Sequence, residues 1–130
     1  MAKLELLIFM LFFHIVDDYY LQGWLASAKQ KSWWVKNAPD NLYKNDYIMA
    51  LAEHAFSWTI MIHFPVIIFN HLGVLDIRHW AFIVATIIFN WICHAVTDNA
   101  KANLKKINLI QDQTIHFVQI FATWIVYITT

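Results

Sequence analysis

Apolar positions along the chain fall into four long runs, separated by two polar, lysine-bearing stretches and one short turn. The first run starts near Leu4 and reaches Val16, meets Asp17 and Asp18, and stays helix-compatible through Tyr19, Tyr20, Leu21 and Gln22 to about Trp24. Leu4 to Val16 is too short to cross a bilayer by itself. A span over 4–24 therefore requires the polar turn to lie inside the protein or at its edge, where intramembrane carboxylates are tolerated. The second run, 46–71, carries Glu53 and His54 early and Pro65 late, and the missing proline N–H predicts a kink there. A turn around Gly73 leads to the third run, 77–100, and the polar stretch Lys101 to Asn108 leads to the fourth, 109–129. The pattern predicts an all-α fold: one transmembrane domain over 1–130, built as a four-helix bundle running up-down-up-down.

Composition supports a membrane solvent. Of all residues 60% are hydrophobic and only 14% are charged, more apolar than an ordinary soluble domain. Lys plus Arg equals Asp plus Glu, 9 against 9, so no charge excess points to a nucleic acid partner. The stretch 27–45, with Trp33, Trp34 and Pro39, suits a position along lipid headgroups. A secretory signal is the rival reading of the N-terminus, because Lys3 precedes an apolar core and Ala26-Ser27-Ala28 resembles a cleavage site. The intervening Asp17 to Trp24 fits that reading poorly, and the expectation is that the segment is retained. Cys93 stands alone, which rules out an internal disulfide and suits inert packing.

Lysines orient the bundle. Lys29, Lys31, Lys36 and Lys44 fall in the first polar stretch and Lys101, Lys105 and Lys106 in the second, against Lys3 and Arg78 on the other side. The positive-inside rule then puts both lysine-rich stretches on the cytoplasmic side, and both termini outside.

Within this bundle the polar residues of the runs form a pattern. His14 and Asp18, His94 and Asp98, and Asp112 and His116 are each four residues apart, so each pair shares a helix face. The up-down order brings all three pairs and His54 to one depth, near the cytoplasmic side. His63, His71 and His79 fall toward the other side and read as packing or interfacial residues. Apart from Arg78 at the far end of the third run, no Lys or Arg lies within the runs to pair with the carboxylates, and burying unpaired carboxylates costs several kcal/mol each, in order of magnitude. Protons or metal ions must then neutralise them. Imidazole interleaved with carboxylate favours a divalent metal such as zinc, manganese or iron, as one or two ions. The candidate ligands are His14, Asp18, His54, His94, Asp98, Asp112 and His116. Asp17, turned about 100° from Asp18 on a helix, and Glu53, beside His54, are candidate catalytic carboxylates, although each also suits a solvated charge at the membrane surface. Asn90, Asn99, Gln22, Gln111, Gln113 and Gln119 suit either orientation of ligands or hydrogen bonding between helices. Trp24, Trp58, Trp91 and Trp124 read as packing or interface anchors.

The segments His14-Ile-Val-Asp-Asp-Tyr-Tyr-Leu-Gln22, helical His54, His94-Ala-Val-Thr-Asp98 with following lysines, and Asp112-Gln-Thr-Ile-His116 resemble, in order and spacing, a family of small bacterial and phage membrane proteins. That family is catalogued as a domain of unknown function and is distantly similar to LexA-regulated, membrane-bound metal-dependent hydrolases. The resemblance covers nearly the whole chain and implies a hydrolase without a substrate. Asp17 departs from the family pattern, which has a small residue there.

Two ions bridged by a carboxylate would suit phosphoester hydrolysis, because they activate a shared water and clamp the displacement. The expected function is a metal-dependent hydrolase acting on a phosphoester or lipid-linked ester at the cytoplasmic face, with the lipid bilayer as its surroundings and a homo-oligomer compatible. The same groups would also serve a metal-ion or proton transporter, for which a polar path should continue past the site. A haem protein with axial histidines is opposed by the clustered aspartates. A phage membrane protein binding a host partner, with a structural metal, is a further alternative.

Overall fold

Bulky apolar residues dominate the four runs, and in the computed structural model, which describes residues 2–77 and 80–129, each run is largely helical. The order is α1 (Ala2–Val16), a π-helical segment (Asp17–Leu21), α2 (Trp24–Ala28), α3 (Lys31–Asn37), a 3-10 turn (Asn41–Tyr43), α4 (Asp46–His71), α5 (Trp80–Ala102) and α6 (Leu109–Thr129). Among the described residues there is no strand. Arg78 and His79, expected from the sequence as an orienting charge and a far-side histidine, lie outside the described residues.

Two turns and a proline shape the bundle locally. At the end of α1 the backbone widens into a π turn, closed by the Gln22 N–H on the Asp17 carbonyl at 3.2 Å. Such turns insert a residue into an α-helix and often mark functional sites. Here the widened turn leaves Asp17 fully buried, and Asp18 nearly so, instead of sending one of them to the surface. Gly23 then breaks the chain with φ +47, a left-handed backbone that suits glycine. Further on, α4 runs through Pro65 as one continuous element, and the proline is itself buried.

The stretch expected to lie along headgroups is folded into short elements. It forms α2, α3 and the 3-10 turn, which is capped by the Asp40 carboxylate accepting from the Leu42 N–H at 2.8 Å. Trp24, Trp33 and Trp34 pack edge to face, and the Trp34 indole N–H donates to the Ala28 carbonyl at 2.7 Å. Asn103, just beyond α5, fastens this hairpin down. Its amide donates to the Lys29 carbonyl at 3.1 Å, and its side-chain oxygen accepts from the Lys31 N–H at 2.7 Å.

The four long helices contact one another in a closed ring, α1 with α4, α4 with α5, α5 with α6, and α6 with α1. Phe9 meets Phe69 and Phe13 meets Phe64 between α1 and α4, while the Trp91 indole donates to the Ala52 carbonyl between α5 and α4 at 2.8 Å. Lys3 donates to the Ile128 carbonyl at 2.7 Å, tying the start of α1 to the end of α6. Leu6, Met10, Ile62, Val66, Ile83 and Ile120 form a dry core. Their burial holds the helices together through close van der Waals contact. Toward the other end the interior is polar, with His14, His54, His94, Asp98, Asp112 and His116 all buried. Large apolar side chains, Ile8, Phe89, Ile92, Val96 and Val118 among them, face outward. Among the described residues two helical stretches, Asn41–His71 and Trp80–Ala102, are long and apolar enough to cross a membrane.

Replacing Asn103 by Ala removes two hydrogen bonds that hold the hairpin and one to Asn99 at the end of α5. The expected outcome is a loss of about 1–3 kcal/mol of unfolding free energy, read from denaturant titration in detergent, with α2 and α3 becoming the first segment cut by limited proteolysis.

Candidate metal centre

Asp98 is the hub of the polar end. It sits one turn beyond His94 on α5, and its carboxylate is 1% exposed, too dry to be left without partners. One oxygen, Oδ2, lies 2.7 Å from His54 Nε2 on α4 and 2.5 Å from Lys29 Nζ. The other, Oδ1, lies 3.3 Å from His116 Nε2 on α6. His94 Nε2 is 3.8 Å from Oδ2 and 3.3 Å from His54 Nε2. Asp18 Oδ1, from the π segment, approaches His54 Nε2 to 3.6 Å.

Two overlapping groups can therefore hold an ion: Asp18, His54 and His94, and His94, Asp98 and His116, with the ligand atoms of each within 4.8 Å of one another. The donor set, imidazole nitrogen with carboxylate oxygen, is one that zinc, manganese or iron accepts. In His54 and His116 it is Nε2 that meets Asp98, and the outer Nδ1 atoms of His54, His94 and His116 have no hydrogen-bond partner among the described residues. The rings are fixed by stacking instead. His94 lies between Trp58, with centroids 4.1 Å apart and planes 20° apart, and His116, at 4.2 Å and 24°.

The remaining sequence candidates surround these groups without joining them. His14 is fully buried, but its Nδ1 accepts from the Trp58 indole N–H at 2.7 Å and lies 3.6 Å from Asp18. Asp112 stands 3.5 Å from His116 and pairs with Lys101. Asp17 points toward α4, where it accepts from the Ser57 hydroxyl at 2.8 Å and from the Gln22 amide. Glu53 is exposed and lines a surface pocket with Trp24, Trp34 and Asp46. His63 is fully buried and its Nδ1–H donates to the Thr59 carbonyl at 2.8 Å, whereas His71 is exposed at the end of α4.

Lysine is the group that sequence reasoning missed. With no Lys or Arg inside the apolar runs except Arg78 at the far end of the third, the sequence leaves the carboxylates without cationic partners. Lys29, counted there as a loop charge, is buried between Asp98 and His54, its Nζ 2.7 Å from His54 Nε2. Lys101, likewise assigned to a polar stretch, lies in the last turn of α5 and reaches Asp112. The reason is geometric: the hairpin folds back under the bundle and carries Lys29 inward. Trp58, read as packing, also touches the site through His14 and His94.

Comparison of the chain with protein-family models, with curated proteins and with solved structures gave no match.

The Lys29–Asp98 pair is buried, so removing one partner strands the other charge. With a chelator present, Asp98→Asn and Lys29→Met should each cost about 3–5 kcal/mol of stability. The double variant should cost less than their sum by about 0.5–3 kcal/mol, as measured by a double-mutant cycle. Strict additivity would show that the two charges do not interact.

Proposed function

We propose that the protein is a metal-dependent hydrolase embedded in the bacterial cytoplasmic membrane, acting on a phosphoester or a lipid-linked ester near the cytoplasmic leaflet. The observation that carries this reading is the convergence of His54, His94, His116, Asp98 and Asp18 in the polar interior of a protein whose exterior is apolar. An outward-facing apolar surface over a polar interior suits lipid as solvent. The ring of helix contacts, with His14 beside Trp58 and Trp124 beside Lys3, suits an up-down-up-down bundle of four spans. In this reading α1 and its π segment form the first span, and the lysine-rich stretches face the cytoplasm. The resemblance to small bacterial and phage membrane proteins, and through them to metal-dependent hydrolases, belongs to the same proposal.

Asp18, His54, His94, Asp98 and His116 would hold the metal. A divalent ion there supplies Lewis-acid polarisation of a phosphoryl oxygen and a water of lowered pKa. The chain supplies the rest. Lys29, at hydrogen-bond distance from both Asp98 and His54, brings a positive charge to the place where a phosphoryl group would gain negative charge. Lys101 holds Asp112 against His116, which fixes that ring. Gln113 donates to Asp112 at 3.2 Å and to Asp18 at 3.4 Å, linking the two acidic ends of the site. The stacked rings of Trp58, His94 and His116 exclude water from one side.

A second reading is favoured by a separate observation. Beyond the cluster, Gln119 donates to Asn90 at 3.1 Å, Asn90 to Thr123 at 2.9 Å, and Thr86 pairs with Tyr127, whose ring meets buried His63. This buried polar series is what a metal-ion or proton transporter would need past its binding site. Ion flux into proteoliposomes that is lost in His63→Ala would support transport; absence of flux leaves the series as hydrogen bonding between helices.

Elemental analysis decides between a metal centre and a protonated cluster. Protein purified without chelators should carry about one or two equivalents of zinc, manganese or iron, and His94→Ala and Asp98→Ala should lose them along with phosphoesterase activity. Full metal content in Asp98→Ala would remove that residue from the ligand set, and metal-free wild-type protein would sink the hydrolase.

A further inference from the structure

A pocket of about 380 Å³ lies between α3 and the chain around the end of α5. Lys31, Ser32, Val35 and Lys36 line it from α3, and Ala102, Asn103 and Lys105 from the other side. Its volume is within the range of small-molecule sites. The two walls are fastened to each other, because the Asn103 side chain bonds both the Lys31 N–H and the Lys29 carbonyl. The pocket is therefore a product of the hairpin's fold-back, which brings lysines from both polar stretches to one place.

Charge selects the ligand. Three lysines and no carboxylate line the pocket. Among the described residues the lysines engaged in ion pairs are Lys29 and Lys101, so Lys31, Lys36 and Lys105 keep unmatched charges, and all three are exposed. Cations gathered at one cavity raise the local concentration of anions. The Asn103 amide adds nothing to this, since its hydrogens are spent on the Lys29 carbonyl and on Asn99. The exposed Ser32 hydroxyl is the neutral donor beside the lysines. The end of α5 opposes an anion little, because its last carbonyls are occupied: Asn99 accepts from the N–H groups of Asn103 and Leu104, and Ala100 from that of Lys106. Lys105 itself has φ +56, the left-handed region in which glycine or asparagine ordinarily follows a helix. A lysine held there is strained, and such strain gathers at functional sites.

Position selects a lipid. Val35 and Leu104 are exposed apolar side chains next to these lysines in sequence. Trp24, Trp33 and Trp34 cluster in the same hairpin, and indoles favour the headgroup level of a bilayer. The pocket thus sits where α5 leaves its apolar stretch, with lysines around it and an apolar rim. A soluble anion would make no use of that rim.

We propose that this pocket binds the phosphate of an anionic phospholipid. Lys31, Lys36 and Lys105 surround the phosphodiester, the Ser32 hydroxyl donates to one of its oxygens, and the acyl chains pass Val35 and Leu104 to the apolar exterior. The bound lipid clamps α3 to the turn after α5, across the junction that Asn103 already ties. The inference uses the membrane placement of the proposed function, and neither its metal nor its chemistry.

The test follows thermal unfolding of full-length protein in maltoside micelles, with dioleoylphosphatidylglycerol, dioleoylphosphatidylcholine or inorganic phosphate added separately. A ligand that binds the folded chain raises the unfolding temperature. Phosphatidylglycerol should raise it to saturation, and phosphatidylcholine or inorganic phosphate at matched concentration should not. Lys31→Gln/Lys105→Gln should raise the half-saturating phosphatidylglycerol concentration about thirtyfold, the effect of two lysine charges near an anionic surface. Lys44→Gln/Lys106→Gln removes the same charge from exposed positions outside the pocket and should leave that concentration unchanged. Equal loss in the two pairs would reduce the effect to general attraction between charges and overturn the proposal. Equal stabilisation by inorganic phosphate would make the pocket one for a free anion and overturn it too, as would equal response to the two lipids. Should the first pair fail to fold, Lys36→Gln repeats the comparison, with a rise of about fivefold expected and an unchanged value counting against the proposal. Protein that binds neither lipid and stays soluble once detergent is removed would defeat the membrane placement itself. The titration needs neither metal nor turnover, so a metal-free wild-type protein would defeat the hydrolase reading without touching this result.

Discussion

A buried carboxylate that must be neutralised governs the polar half of this protein. Asp98 lies almost wholly out of water, and the low-polarity interior makes an isolated negative charge there prohibitively costly. Every long helix but α1 sends a group to it directly: His54 from α4, His94 from its own helix, and His116 from α6. α1 contributes one step removed, through the π segment that brings Asp18 to His54. The hairpin of α2 and α3 then supplies Lys29. A segment that would otherwise be a surface loop is thus drawn beneath the bundle, and Asn103 secures it there by bonding on both sides of the turn.

Such a centre is balanced between two descriptions. Lys29 and the imidazoles offset the charge of Asp98, and the three rings presenting nitrogens to two carboxylates are also groups that can hold a divalent ion. The cluster's neighbours are arranged to be stiff. Stacked Trp58, His94 and His116 leave little rotational freedom, and Asp112 is pinned by Lys101. Rigid donors at fixed separation are what a metal-assisted reaction needs.

Much of this was legible in the sequence. The spacing of His14 and Asp18, His94 and Asp98, and Asp112 and His116 announced shared helix faces, and hydropathy announced four helices whose ends return the pairs to one level. The all-helical fold and the meeting of His54 with His94, Asp98 and His116 follow from period and order alone. What could not be read is what depends on turns. The π segment changes the direction of Asp17 and Asp18, and α-helical spacing carries no sign of it. Lys29 lies in a stretch whose composition suits a surface, and only the hairpin's fold-back turns it inward. Trp58 was indistinguishable from a packing residue because its contact with His14 depends on which indole edge faces α1. Similarly, the four-residue spacing of His14 and Asp18 sets their proximity, but it is the Trp58 indole that takes His14 Nδ1.

The central claim is that His54, His94, Asp98, His116 and Asp18 together bind one or two divalent ions in the interior of the bundle. The X-ray absorption spectrum of zinc-loaded protein tests it most directly. The account predicts nitrogen and oxygen scatterers at about 2.0–2.2 Å, with the outer-ring scattering characteristic of two or more imidazoles, and the loss of that imidazole signature in His94→Ala. A spectrum of oxygen scatterers only, unchanged by His94→Ala, would place the ion elsewhere and contradict the account.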